Sequence, residues 1–287
     1  MSNRGFRLRA LGFLVALLAA GFLAPAVTSG PHSRAFIYWA NASGTTIGRA
    51  NLDGTGVNQS FIKSGDSPCG VAVDRAHVYW GDKDGTTIGR ANLSGTGVTQ
   101  RFIKGASPGG SCGVAVDRAH IYWANSAGTT IGRANLSGTG VTQSFISGAA
   151  APCGVAVDRA YIYWANSAGS TIGRANLDGT GVNQSFIKGA NAPCGVAVDG
   201  AHIYWANDAF TGRTIGRANL DGRGVKPRFI SGVRSPCGVA VDGGHIYWSQ
   251  FDEGTTVGRA RLDGTGVDPN FIRGAIQPCG VAVKAGK

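Results

Sequence analysis

Six cysteines are the residues of this sequence with the greatest capacity for chemistry. Each begins the same recurring word, CGVAV: Cys69, Cys112, Cys153, Cys194, Cys237 and Cys279. Their apolar neighbours predict buried, unreactive thiols that pack as small apolar groups. We also expect the equivalent strands to stand further apart than the about 6.8 Å that a disulfide spans between Cα atoms. Disulfides between neighbouring repeats are the first alternative, and a metal or redox role is the second.

Catalysis requires groups that depart from a repeat, and few residues here do so. Glu253 is the one glutamate, and it follows Asp252. The motifs G-x-S-x-G and H-E-x-x-H do not occur in the sequence. Histidine recurs at a repeat position that holds Tyr161 and Phe36 in two other units, which indicates ring packing rather than metal binding. The four histidines at this repeat position, of five in the sequence, are His77, His120, His202 and His245. We therefore favour a protein that is not an enzyme and expect no cofactor.

These residues belong to a repeat of about 42 residues. Its tryptophans are spaced by 41, 43, 41, 41 and 43 residues: Trp39, Trp80, Trp123, Trp164, Trp205 and Trp248. Each unit holds four strand-like segments, CGVAV, HIYW, TIGRANL and a segment that ends in Phe-Ile, separated by turns rich in Asp and Gly. Glycine accounts for 47 of 287 residues and methionine for one, so the composition also favours strands and turns over helices.

Six four-stranded units predict an all-β fold, a six-bladed β-propeller with four antiparallel strands in each blade. The first unit begins midway, since residues 36–62 supply three strands and lack a CGVAV strand. The missing strand stands at the other end of the chain, at residues 279–283. We therefore expect a propeller over residues 35–287, in which the C-terminal strand joins the three N-terminal strands and closes the ring.

The words IYWAN, TIGRANLDG and P-CGVAVD resemble the YWTD repeat of the low-density lipoprotein receptor class B family. YWTD reads YWAN in four units, YWGD at Trp80 and YWSQ at Trp248. The resemblance covers residues 36–283 and implies a six-bladed propeller that binds other proteins. Exported propellers similar to gluconolactonases and streptogramin lyases hold a metal ion at the channel mouth. That similarity implies the alternative, a metal-dependent lactonase-like hydrolase or a lyase.

Each repeat has four links between strands, and only two of the four vary from one repeat to the next. Links after the first and third strands are nearly uniform, whereas links after the second and fourth strands vary and contain all three changes in length. Because neighbouring strands run in opposite directions, the variable links emerge on one face. The most distinctive side chains belong to neighbouring blades: Phe210, Arg213, Arg234, Phe251, Asp252 and Glu253. We predict that these six residues bind a ligand; the alternative is drift in unconstrained loops.

The first 26 residues have the layout of a secretory signal peptide. A basic start precedes an apolar stretch from Leu11 to Leu23, and a small-x-small pattern follows at residues 24–26. The apolar stretch is shorter than the about 20 residues of a membrane-spanning helix. We expect a signal peptide at 1–26, a linker at 27–34 and a secreted or cell-envelope protein with no membrane span after cleavage. An uncleaved anchor is the alternative.

The formal net charge is +11, or about +8 without the three arginines of the signal segment. A basic surface favours anionic partners. However, six arginines occupy one repeated position and can serve the structure instead: Arg49, Arg90, Arg133, Arg174, Arg217 and Arg259. We expect a monomer whose partner is a protein or an acidic polymer of the cell envelope or extracellular space, and we do not expect nucleic acid.

Overall fold

The computed structural model describes Met1 and residues 35–65, 67–106, 112–207, 213–251 and 254–284. These residues form 24 β-strands in six sheets, here called blades 1 to 6. The expected signal peptide and linker, at 1–26 and 27–34, lie outside the described residues apart from Met1. No helix within the described ranges is long and apolar enough to span a membrane.

The strands follow one pattern around the ring. Blade 1 contains β1 (Phe36–Asn41), β2 (Thr46–Asn51) and β3 (Asn58–Lys63). Blade 2 contains β4 (Pro68–Val73), β5 (His77–Asp82), β6 (Thr87–Asn92) and β7 (Thr99–Lys104). Blade 3 contains β8 (Val114–Val116), β9 (His120–Asn125), β10 (Thr130–Asn135) and β11 (Thr142–Ser147). Blade 4 contains β12 (Pro152–Val157), β13 (Tyr161–Asn166), β14 (Thr171–Asn176) and β15 (Asn183–Lys188). Blade 5 contains β16 (Pro193–Val198), β17 (His202–Asn207), β18 (Thr214–Asn219) and β19 (Lys226–Ser231). Blade 6 contains β20 (Pro236–Val241), β21 (His245–Gln250), β22 (Thr256–Arg261) and β23 (Asp268–Arg273), and the last strand is β24 (Pro278–Lys284).

The last strand completes the first blade. The sheet order β24-β1-β2-β3 places β24 antiparallel to β1. Val283 lies opposite Ile37, Ala282 opposite Tyr38 and Val281 opposite Trp39. This confirms the predicted ring closure and the six-bladed fold.

The apolar core lies between neighbouring blades. In β9, Tyr122 packs towards blade 4, where it joins Ile162 and Trp164 in one cluster of buried side chains. Trp123, the next residue along the strand, packs instead into the cluster shared with blade 2. This alternation is the period of two that the HIYW segment predicts. Burying a side chain as large as tryptophan contributes about 4 to 6 kcal/mol of transfer free energy, so these layers dominate the stability.

A glycine on the third strand makes room for each tryptophan. A Cβ atom built on Gly132 would lie 2.2 Å from Cε2 of Trp123, far inside contact distance. The same close approach occurs in all six blades, between the tryptophan and the glycine of TIGRAN or, in blade 6, of TVGRAR. The repeat therefore needs glycine at this position.

The repeated arginines serve the structure. The guanidinium carbon of Arg133 lies 3.8 Å from the centroid of the Phe145 ring. Its Nη1 also donates to the carbonyl oxygen of Leu177 in the next blade, at 3.5 Å. Cation–π stacking of this kind recurs in every blade, at Arg49, Arg90, Arg133, Arg174, Arg217 and Arg259. These six guanidinium groups therefore stabilise the propeller through contacts within it.

Candidate functional site

The antiparallel order of each blade defines two faces. Links after the second and fourth strands emerge on the face that we call the upper face, and links after the first and third strands emerge on the lower face. Five inner strands begin at the upper face with Pro-Cys-Gly, so their cysteines lie at the upper end, and in blade 3 Cys112 directly precedes β8 at the same end. The described members of the predicted ligand-binding set, Arg213, Arg234 and Phe251, belong to upper-face links.

The lower face repeats one hydrogen-bonded unit. Asp74 Oδ1 accepts from the backbone N–H groups of Ala76 and His77 at 2.7 and 2.6 Å, and its Oδ2 accepts from the Tyr79 hydroxyl at 3.0 Å. The His77 ring packs on the Tyr79 ring, with 5.9 Å between centroids. Blades 3, 4, 5 and 6 repeat the aspartate–tyrosine bond. The predicted ring packing of the histidines is confirmed, and the aspartates cap the turn that precedes the second strand.

Burial raises the pKa of each of these tyrosine hydroxyls, and the adjacent aspartate raises it further. Blade 1 differs, since Lys284 stands where the other blades have aspartate. The Tyr38 hydroxyl is buried and accordingly has no carboxylate to bond. Burial raises the pKa of Tyr38 as well, and the neighbouring Arg49 opposes that rise.

The cysteines are paired, which corrects the expectation of free thiols. Three disulfides join neighbouring inner strands: Cys69–Cys112, Cys153–Cys194 and Cys237–Cys279. The paired Cα atoms lie 4.8, 5.0 and 5.2 Å apart. The expectation was wrong because it overestimated the spacing of the inner strands at the axis.

The glycine after each cysteine explains this close spacing. A Cβ atom on Gly113 would lie 2.2 Å from the carbonyl oxygen of Cys153, and one on Gly154 would lie 2.4 Å from that of Cys194. Only a residue without a side chain allows the inner strands to approach so closely. The channel at this level is a cavity of about 50 Å³ lined by the Cys, Gly and Val residues of the inner strands. A cavity of this size has room for a water molecule or a single ion.

Within the described residues, the residue after each second strand begins an upper-face link, and two of these residues, Ala42 and Phe251, pack with the cysteines. The described members of this set, here called the mouth residues, are Ala42, Lys83, Ser126, Ser167 and Phe251. Several are held by their backbone: Lys83 N–H donates to the Ser67 carbonyl at 2.9 Å, and Phe251 N–H donates to the Ser235 carbonyl at 3.0 Å. The sixth position, Asp208, lies outside the described residues.

Two large mouth residues meet across blade 1. Phe251 of blade 6 packs against the buried cysteines, together with Ala42 of blade 1. The Nζ atom of Lys83, from blade 2, lies 5.6 Å from the centroid of the Phe251 ring. The mouth is thus asymmetric, with an aromatic ring and a cation on one side and serines on the other. Sequence reasoning missed Lys83, although its place directly after the second strand matches that of Phe251.

The backbone before the inner strands is strained on the upper face. Ala151, Ala192, Ser235 and Gln277 have φ values of 47°, 41°, 28° and 44°. Each of them precedes a proline, which disfavours helical backbone angles. Arg213 also has a positive φ, of 39°. The described non-glycine residues with positive φ all lie in upper-face links.

Three of the six predicted ligand-binding residues can be placed. Arg213 and Arg234 are exposed in the two upper-face links of blade 5, whereas Phe251 is half-buried at the channel mouth. Arg234 and Phe251 are connected by one backbone hydrogen bond: the Phe251 N–H donates to the carbonyl oxygen of Ser235, the residue after Arg234. Phe210, Asp252 and Glu253 lie outside the described residues. Within the described ranges, no group of three His, Cys, Asp or Glu side chains is arranged to hold a metal ion.

Comparison with known proteins supports the fold. The sequence matches no protein-family model and no curated protein. A chain of the crystal structure of the nidogen/laminin complex is similar, with a TM-score of 0.74 and 22% identity over 88% of this chain and 98% of that one. A streptogramin B lyase has a TM-score of 0.59 and 16% identity over 90% and 89%. A gluconolactonase from Xanthomonas campestris has a TM-score of 0.56 and 18% identity over 74% and 76%. The chain therefore has the six-bladed propeller fold that the YWTD resemblance implies, a fold found in both binding proteins and enzymes.

Proposed function

We propose that this protein is an exported binding or scaffold module that contacts its partner through the upper face. The proposal rests on where the residues that depart from the repeat lie. The lower face repeats one aspartate–tyrosine unit in five blades, whereas Lys83, Arg213, Arg234 and Phe251 each occur once and all lie on the upper face. A specific contact needs such distinctive groups, and a rigid frame that presents them on loops is a common arrangement.

Export is supported by two independent features. The first 26 residues have a signal-peptide layout. The three disulfides fit an oxidising compartment, since disulfides persist in secreted and periplasmic proteins. The extracellular space or the cell envelope is therefore the proposed location.

The charge and aromatic groups of the upper face define the partner's chemistry. Arg213 and Arg234 expose two guanidinium groups, which bind carboxylates and phosphates in a bidentate manner. Phe251 adds a half-buried aromatic surface. The proposed partner is a protein with acidic side chains or an acidic polymer of the envelope. The similar chain from the nidogen/laminin complex comes from a protein assembly, which agrees with a binding role.

The test compares the two faces of the same molecule. A photo-crosslinking residue at position 234 samples the upper face, and one at position 159 replaces an arginine of the lower face. We expect crosslinks to envelope components from position 234 alone. The variant Arg213→Ala/Arg234→Ala/Phe251→Ala should then reduce crosslinking from another upper-face position, Lys83, at least about tenfold. Its control, Arg118→Ala/Arg159→Ala, removes the same number of charges from the lower face. Equal crosslinking from both faces would contradict the proposal.

A metal-dependent hydrolase or lyase is the second candidate. It is supported by the similar folds of the streptogramin B lyase and the gluconolactonase, and by Asp252 and Glu253, an acid pair that the other repeats lack. Carboxylate oxygens are the ligands that hard divalent cations prefer. Calorimetry with Mg²⁺, Ca²⁺ and Mn²⁺ distinguishes the candidates. Tight one-to-one binding that Asp252→Asn/Glu253→Gln abolishes would favour the enzyme.

A further inference from the structure

A glutamine side chain joins the last strands of neighbouring blades at two junctions of the ring. In blade 1, Oε1 of Gln59 accepts from Nε1 of Trp39 at 3.0 Å, and its Nε2 donates to the carbonyl oxygen of Arg273 in blade 6 at 2.9 Å. In blade 4, Gln184 makes the same two bonds, to the tryptophan of its own blade and to the Ser147 carbonyl of blade 3. Each junction therefore holds one carboxamide between an indole donor and a carbonyl acceptor.

The junction between blades 5 and 6 lacks this carboxamide. Pro269 stands in blade 6 at the repeat position of Gln59. Trp248 is fully buried, and within the described ranges no group accepts a hydrogen bond from its Nε1. Blade 5 also has proline at this position, but there Nε1 of Trp205 donates to Oδ1 of Asn207 at 3.0 Å. The Trp248 indole is thus a buried donor in need of an acceptor.

The place of the missing carboxamide is open. A Cβ atom built on Gly274, after the last strand of blade 6, would lie 3.5 Å from Nε2 of Gln59. One built on Gly148, the equivalent glycine of blade 3, would lie 3.4 Å from Nε2 of Gln184. One built on Gly232, the equivalent glycine of blade 5, would meet nothing within 4 Å. A side chain of another molecule can therefore occupy this space.

The open junction has a carbonyl acceptor and two cations beside it. Ser231, the last residue of β19, is exposed and takes the place that Ser147 has in blade 3. Thr214 lies opposite Ser231 in the sheet, so Arg213, the residue before Thr214, lies close to it. Arg234 follows Ser231 by three residues. Both arginines are exposed, so two guanidinium groups beside the junction can bind carboxylates.

We propose that the junction between blades 5 and 6 binds a glutamine side chain of a partner protein, on a segment rich in aspartate and glutamate. Its Oε1 accepts from Nε1 of Trp248 and its Nε2 donates to the Ser231 carbonyl, as Gln59 does within the chain. The neighbouring carboxylates bind Arg213 and Arg234. A primary amide offers two N–H bonds, whereas the acetamido group of a sugar offers one, so a glutamine fits better. The inference rests on the proposed function and names the partner's chemistry.

Two acidic peptides that differ in one side chain test the site. Glu-Asp-Gln-Asp-Glu carries the carboxamide, and Glu-Asp-Met-Asp-Glu has a side chain of similar length without it. Calorimetry should show that the glutamine peptide binds about tenfold or more tightly, because it gains two hydrogen bonds. Since the Trp248 indole is buried in the free protein, its N–H resonance in NMR spectra should shift only when the carboxamide reaches it.

Matched variants separate this site from the rest of the upper face. Pro269→Gln supplies the junction with a carboxamide of the chain itself, so it should abolish the preference for the glutamine peptide. Its control, Pro227→Gln, makes the same change at the junction between blades 4 and 5 and should keep the preference. Arg213→Ala/Arg234→Ala should weaken both peptides alike. If that variant does so while the unchanged protein binds the two peptides equally, the proposed function stands and the glutamine site fails.

The proposal is overturned if the unchanged protein binds the glutamine peptide no more tightly than the methionine peptide. This comparison holds even if Pro269→Gln does not fold. A preference that persists in folded Pro269→Gln would also overturn it, because the carboxamide would then bind elsewhere. A shift of the Trp248 resonance with N-acetylglucosamine, and none with the glutamine peptide, would replace the protein partner with a sugar polymer.

Discussion

Trp39 and Val281 lie directly opposite each other in one antiparallel strand pair, although they come from opposite ends of the chain. Their pairing joins β24 to β1 and places both residues in the cluster between blades 6 and 1. Closure of the ring removes the exposed edges that an open stack of blades would leave. It also fixes which links share a face, on which the proposed function depends.

The closing strand contains a site where stability can be gained. The Tyr38 hydroxyl lacks the carboxylate that its counterparts bond, because Lys284 occupies the aspartate position. We expect Lys284→Asp to stabilise the protein by about 1 kcal/mol, as a new hydrogen bond to a charged acceptor. Lys284→Met is the control, since it removes the lysine without adding an acceptor. Denaturant unfolding measures the change, and a gain that persists in a Tyr38→Phe background would contradict this explanation.

The glycine beneath each tryptophan should be intolerant of substitution. Gly132→Ala places a methyl group 2.2 Å from Cε2 of Trp123, so we expect a loss of about 1 to 3 kcal/mol from overpacking. Gly200→Ala is the matched control, because a Cβ atom there meets nothing within 4 Å. Thermal unfolding of the two variants should separate them by several degrees. Equal melting temperatures would show that the tryptophan moves aside without cost.

Alkaline pH should weaken the fold. Five tyrosines have a pKa raised from the ordinary value of 10.0, mainly by burial and further by an aspartate: Tyr79, Tyr122, Tyr163, Tyr204 and Tyr247. The unfolded chain loses these protons first as the pH rises above 10. The contribution is therefore complete below pH 10 and declines above it.

Absorbance of tyrosinate, recorded alongside circular dichroism, checks this pH dependence. The five tyrosines should ionise only as the protein unfolds, and Asp117→Asn should lower the pKa of Tyr122 part of the way because burial remains. Ionisation of all tyrosines near pH 10 in folded protein would contradict the expected order.

The disulfides should be present in the native protein and should stabilise it. Thiol titration of the unreduced, denatured protein should detect no free thiol. Peptide mapping should recover the pairs Cys69–Cys112, Cys153–Cys194 and Cys237–Cys279. Cys153→Ser/Cys194→Ser should lower the free energy of unfolding by about 2 to 4 kcal/mol. Six thiols detected only after denaturation would restore the interpretation as buried free cysteines.

The propeller fold could be predicted from the sequence because the features that specify it are local and recur in each repeat. The alternation in HIYW predicts that Tyr122 and Trp123 face opposite sides of their blade, and the structure confirms it. The split first unit likewise predicts that β24 joins β1. These features need only strand periodicity and the order of the segments along the chain.

The centre of the ring could not be predicted in the same way. The distance between inner strands depends on contacts such as Gly113 against the Cys153 carbonyl, which join different repeats. The invariable Cys-Gly pair was the available signal for close approach, and hence for disulfides. The meeting of Lys83 and Phe251 depends on the width of the ring, because blade 1 lies between their blades. The ligand-binding role of the upper-face residues stays a prediction.

The closed ring is tested most directly by hydrogen–deuterium exchange of the closing strand. Amides of residues 281–283 in β24 should exchange as slowly as those of residues 155–157 in β12, because both inner strands are held by a second strand and by neighbouring blades. Residues 37–39 of β1 should match the second strand of blade 4 for the same reason. Fast exchange of β24 and β1 alongside a protected β12 would show that the ring is open, and the assignment of links to two faces would then fail.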